Sequence, residues 1–204
     1  MTQEIHEQVQ QALRHFRLPT YDEITNVGLY LDQTTRYINE YMFPLSEDMA
    51  ITSSMISNYV KQHLIPSPIH KQYSRDQIAC LIAITMAKTI LSMDHIYALI
   101  HMRDITDSFR LNYEFFREEL NRSLQYVFGI ASDDTANAPD NQKDILIRNM
   151  TIAIAHKIYL DVCFTALTRS GLVELPGKKE KAPKKQEKPK IQADNADHVD
   201  SEGA

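Results

Sequence analysis

Lys61, Lys71 and Arg75, with His63 and His70 among them, fall in one window, residues 51–75, that contains no Asp or Glu. In a chain of formal net charge -5, that window is a local inversion of sign. Ammonium and guanidinium groups pair with phosphate. Ser53, Ser54, Ser57 and Asn58 bring hydroxyl and amide groups that hydrogen-bond to phosphate oxygens or base edges. Tyr59 and Tyr73 each add a ring to pack and a hydroxyl to donate. The chemistry on offer is recognition of double-stranded DNA, and these residues, from Ser53 to Arg75, form the candidate DNA-binding set.

The elements that must position them can be read from the same window. Thr52 or Ser53 caps a short helix whose Met55, Ile56, Tyr59 and Val60 recur at helical spacing, and Pro66 and Pro68 stop it. Ser74, with Gln77 three places on, is a capping box that opens a longer helix at Arg75. Helix, rigid connector, helix, with the first helix and connector basic, is the layout of a helix-turn-helix reader.

Outward from there the pattern is helical throughout. Ile5, Val9, Leu13 and Phe16 predict an amphipathic helix over 3–17, stopping before Pro19. After a connector at 18–28, Leu31, Ile38 and Met42 predict a helix that braces the reader, ended by Pro44, with Ser46 as a further cap. The helix from Arg75 runs to about Leu91, and Ser92 caps a short one. Asp104 or Thr106 starts another, through Phe109, Tyr113, Phe116, Leu120 and Val127, to Gly129. The polar stretch 131–142 is a loop. Beyond it, the apolar segment 143–170 predicts a long helix closed by Gly171. About a dozen residues of loop imply antiparallel packing of the two long helices. After Pro176 almost no large apolar residue remains. Seven lysines against two glutamates lie between Lys178 and Lys190, an acidic end follows, and the tail is predicted to be disordered.

Composition sets the class. Five glycines and no tryptophan in 204 residues argue for helices over sheet. The N-terminus is too polar for a signal peptide, and no run of 18 apolar residues predicts a membrane span, so the expectation is a cytoplasmic protein without a membrane partner. The two cysteines, Cys80 and Cys163, are far apart in a chain that reads as reduced. There is no GxxxxGK[ST] loop, GxGxxG, HExxH, GxSxG or Cys/His set with metal spacing. No catalytic residue, metal site or cofactor is expected, and the protein is not expected to be an enzyme.

Residues 51–101 resemble the DNA-binding half of MerR-type regulators. The resemblance rests on Tyr59, then Leu64, Ile65 and Pro66, the Ser67–Gln72 wing region, Tyr73, the Ser74–Gln77 cap, the helix Ile78–Leu91 and the short helix Ser92–Ile100. It implies that Tyr59 lies near the phosphate backbone and that Lys71 stands where those regulators carry a wing arginine. Where they carry a helix arginine this chain has Ser57, and where they carry a closing glycine it has His63. Residues 18–125, with the LYLDQ segment at Leu29–Gln33, look like the bacterial family known as domain of unknown function 1836.

The reading is therefore an all-α protein: a MerR-like winged helix-turn-helix core, an antiparallel helical hairpin and a disordered charged tail. Residues 1–45 would brace the core, 46–105 carry the reader, 106–171 serve dimerisation or partner binding, and 172–204 form the tail. The function expected is transcription regulation by a DNA-binding homodimer, with 143–170 as the dimer seam. Two alternatives stand beside it. One is a protein-interaction adaptor that keeps the fold without DNA. The other is a sensor whose small-molecule effector sits between Tyr113, Phe115, Phe116 and Tyr126.

Overall fold

The computed structural model describes residues 16–43, 49–102, 108–131 and 141–173, with Glu7 and Gln11 besides. The expected helix over 3–17, the Ser46 cap, most of the 131–142 loop and nearly all of the tail lie outside the described residues. Six α-helices and one two-stranded ribbon make up the described chain, so the protein is all-α as its composition predicts. The helices are α1 (Leu31–Met42), α2 (Ser53–Lys61), α3 (Arg75–Ala87), α4 (Met93–Ile100), α5 (Phe109–Val127) and α6 (Gln142–Arg169).

Local chemistry sets most of these boundaries. Thr52 accepts from Met55 N to open α2, Ser92 accepts from His95 N to open α4, and Ser74 exchanges hydrogen bonds with Gln77 at the head of α3. At the other end, α2, α5 and α6 stop in the same way. The residue after the cap turns left-handed and the next amide reaches back to the last turn: Leu64 N to Tyr59 O, Ile130 N to Gln125 O, Leu172 N to Leu167 O. In α5 and α6 the left-handed residue is glycine, Gly129 and Gly171. In α2 it is His63, at φ 58°.

Helix α3 is the hub. Ile78, Leu81, Ile82, Ile84 and Met86 are buried around its circumference, with α1 packed on one side and α5 and α6 on the other. Each such aliphatic side chain stabilises the fold by about 1.5–3 kcal/mol. A single core thus runs from the central window into the two long helices.

The ribbon pairs β1 (Leu29–Tyr30) with β2 (Gln72–Tyr73), antiparallel, in the register Leu29 with Tyr73 and Tyr30 with Gln72. It ties the start of α1 to the end of the connector. Gly28 lets the strands meet, because a Cβ there would stand 2.9 Å from Gln72 Cβ.

Two expectations are corrected. Helix α5 is capped by Ser108, which accepts from Leu111 N, so it begins at Phe109. And α5 and α6 are not antiparallel. Glu119 meets Arg148, Ser123 meets Thr151 and Phe128 meets Tyr159, so position advances along both helices together. The reason is length: α5 spans about 28 Å at 1.5 Å per residue, whereas residues 129–141 extended reach about 43 Å. The connection is long enough to return, and side-chain pairing decides the direction. Among the described helices, α6 is long and apolar enough to cross a membrane by length and composition, unlike the sequence expectation; 33% of its most apolar 18-residue window is buried inside the fold.

Candidate functional site

Helix α2 is held at its N-terminus by α1. Asn39 donates to Ile51 O at 2.9 Å and accepts from Ile51 N at 2.8 Å, which fixes the approach to α2. Ser53 Oγ donates to Asp32 at 3.0 Å and lies 3.0 Å from Thr35 Oγ1. Lys88 Nζ, whose pKa burial lowers, donates to Ala50 O at 3.1 Å from α3's C-terminal cap. With Ile56 and Tyr59 packed inward, the outward side of α2 is Ser54, Asn58 and Lys61, all exposed.

The connector carries the second part of the surface. Gln77 Nε2 donates to Pro66 O at 2.8 Å, so the residue that caps α3 also anchors the connector. Gln72 N then donates to Ile69 O at 2.9 Å across a tight turn in which His70 and Lys71 are both left-handed, at φ 50° and 64°. Two positive central φ values define a type I′ hairpin turn, normally built from Asn-Gly because other residues are strained there. His70 and Lys71 stand at its tip, both exposed.

The candidate residues divide accordingly. Ser54, Asn58, Lys61 and Lys71 lie on the exposed side. Ser53 and Ser57 are half-buried, and both are occupied within the fold: Ser53 by Asp32 and Thr35, Ser57 by donation to Ser53 O at 2.9 Å. Tyr59 and Tyr73 are corrected to core residues at 4% exposure, where burial raises both hydroxyl pKa values. An amphipathic helix and a half-covered strand each bury their aromatic side chain in preference to presenting it.

Arg75 is corrected too. Its guanidinium lies 5.3 Å over the Tyr21 ring and 3.6 Å from Asp22, with Arg110 at 5.5 Å over the same ring. The Tyr21 hydroxyl donates to Asp76. Burial, and then that hydrogen bond, push the Tyr21 pKa up to about 12. Arg75 therefore ties the turn at 21–23 to the head of α3, as Arg110 ties it to the head of α5, and the Arg75 side chain is 24% exposed. Sequence reasoning passed over Arg36, exposed one helical turn after Asp32 on α1. Only the pairing of α1 with α2 would have signalled it.

Cys80 and Cys163 are free thiols, and no group of His, Cys, Asp and Glu suited to a metal ion occurs among the described residues. No curated protein and no solved structure matches the chain. Residues 19–116, which run from just before the Tyr21 clamp through the hub helix into the first half of α5, match the family described as Domain of unknown function (DUF1836).

Proposed function

We propose that this protein is a non-enzymatic, cytoplasmic DNA-binding regulator that reads double-stranded DNA with α2 and the connector turn, in the manner of a MerR-like winged helix. The observation that carries the reading is the surface from Thr52 to Lys71. In a chain of net charge -5 it exposes Ser54, Asn58, Lys61, His70 and Lys71, and residues 52–71 include no Asp or Glu. On this reading α2 enters the major groove, with Ser54 and Asn58 toward base edges and Lys61 and Lys71 on flanking phosphates.

A two-fold dimer completes the reader, since paired half-sites require paired recognition helices. Its seam is the outer side of α6, where Leu146, Ala153 and Leu160 recur at seven-residue spacing and Phe164 is 61% exposed.

The alternative is a protein-interaction adaptor. It is favoured by Asp32, an exposed carboxylate bonded to Ser53 at the tip of α2, and by the loss of Arg75 to an internal pair. Fluorescence anisotropy on mixed-sequence duplexes at low salt separates the two. DNA reading requires binding by the wild type and its loss in Asn58→Asp, which sets a charge on the outward side of α2. No binding by the wild type, or equal binding by Asn58→Asp, rejects DNA reading and leaves the adaptor.

A further inference from the structure

Among the described residues, Arg75 Nε is the buried side-chain polar atom that has no hydrogen-bond partner. The rest of the Arg75 guanidinium is scarcely better placed. Its Nη1 lies 3.6 Å from Asp22 Oδ1, an ion pair too long for a hydrogen bond. Its other contact is the Tyr21 ring, 5.3 Å away at the centroid. Buried donors are ordinarily satisfied, so an orphan of this kind marks a place that wants an acceptor.

The carboxylate that faces Arg75 is already shared. Asp22 Oδ2 accepts from Arg110 Nη2 at 2.5 Å, and the Arg110 guanidinium stands 5.5 Å from the centroid of the same Tyr21 ring. Two guanidiniums thus converge on one carboxylate, which bonds one of them and leaves the other short. Asp76 does not make up the difference, because it is engaged by the Tyr21 hydroxyl. Arg75 is the first residue of α3 and Arg110 the second of α5, so each cation sits where the helix dipole disfavours it and favours an anion. The place is not sealed. Asp22 is 61% exposed on a three-residue turn, and its side chain can swing into water while both arginines stay.

We infer that Arg75 and Arg110 form a binding site for a phosphate dianion, which takes the position of the Asp22 carboxylate between the two guanidiniums. Each arginine presents a planar fork that donates to a pair of phosphate oxygens, and Nε with one Nη is an edge of that fork. A phosphate dianion offers three strong acceptor oxygens, enough to bond Arg110 and still reach Arg75 Nε. The carboxylate of Asp22 offers two and leaves Nε unmet. A backbone phosphodiester is no better than Asp22, since ester bonds take two of its four oxygens and one of its charges. The site is therefore separate from the DNA surface, and the inference does not rest on DNA binding.

The test is a proton–nitrogen correlation spectrum of the full-length chain, read at the Arg75 Nε–Hε peak, which is assigned by its loss in Arg75→Lys. Inorganic phosphate, exchanged for chloride at constant ionic strength, should move the peak downfield and saturably, with a dissociation constant of about 1–10 mM. Asp22→Asn removes the charge of the internal occupant and keeps its size, so it should tighten phosphate binding about fivefold. A bracing role for Asp22 alone would not produce that gain. Arg110→Gln should weaken binding at least about tenfold, and a mixed-sequence DNA duplex should leave the peak in place. Any of these results would overturn the site: no saturable shift, a shift that chloride matches, binding no tighter in Asp22→Asn, full affinity in Arg110→Gln, or a duplex that moves the peak more than phosphate does.

Discussion

The connector turn sets stability against binding. His70 and Lys71 hold consecutive left-handed conformations, each costing a non-glycine residue about 1–2 kcal/mol. Lys71→Gly removes that strain but adds unfolded-state entropy of about 0.5–1 kcal/mol, for a net gain of roughly 0.5–1 kcal/mol. His70→Asn adds less, about 0.5 kcal/mol, because Asn tolerates the region. Together they should stabilise the protein by about 1 kcal/mol, or about 3 °C in melting temperature for a chain of this size. If Lys71 meets a phosphate, the same variant loses one contact per protomer. A salt slope of about 0.9 per contact, carried over the decade from 1 M to 0.1 M, is worth about eightfold in affinity. Scanning calorimetry and salt-dependent anisotropy read the two effects separately, and they should have opposite signs. A less stable double variant refutes the strain argument. A more stable one with unchanged affinity and slope removes Lys71 from the DNA surface.

Further outcomes follow from the same geometry. Lys61→Ala/Lys71→Ala should lower the salt slope of DNA binding by about 1.8 per protomer. Arg75→Ala, clamped between Tyr21 and Asp22, should leave the slope alone and cost about 1 kcal/mol of stability. Glu119 is 3% exposed and accepts from both Arg122 and Arg148, so Glu119→Gln should destabilise by about 2–3 kcal/mol in denaturant titration. Arg17 donates to Glu23 at 2.7 and 2.8 Å and holds that carboxyl down to about 2. The folded pKa lies below the unfolded one, so the pair stabilises at neutral pH and its contribution fades as pH falls from the ordinary carboxylate range toward 2. The melting-temperature gap between wild type and Glu23→Gln should shrink over that interval. A gap that widens instead would show that the pair does not act through ionised Glu23.

What the sequence made legible was short-range. The Thr52, Ser74–Gln77 and Ser92 caps and the Gly129 and Gly171 stops involve residues within a few positions of each other, and each stands where the pattern set it. The direction of α6 against α5 depends on Glu119 finding Arg148, and no local pattern encodes it. Tyr59, Tyr73 and Arg75 carry the right chemistry for a DNA contact, but burial and the partner Tyr21 are tertiary facts. The type I′ turn was hidden for a different reason: His70-Lys71 lacks the Asn-Gly signature by which such turns are read. His63 hid the end of α2 in the same way, since histidine there fills a place that favours glycine.

The encirclement of α3 separates two notions of a domain. The stretch that matches the family ends at residue 116, inside α5. The second half of α5 and all of α6, which lie beyond it, bring Leu120, Leu124, Ile154 and Ile158 into the same core. Cutting there leaves the hub helix with an apolar flank open to water, so residues 19–116 expressed alone should aggregate, whereas 1–174 should be soluble. The segment that matches the family is thus smaller than the unit that folds.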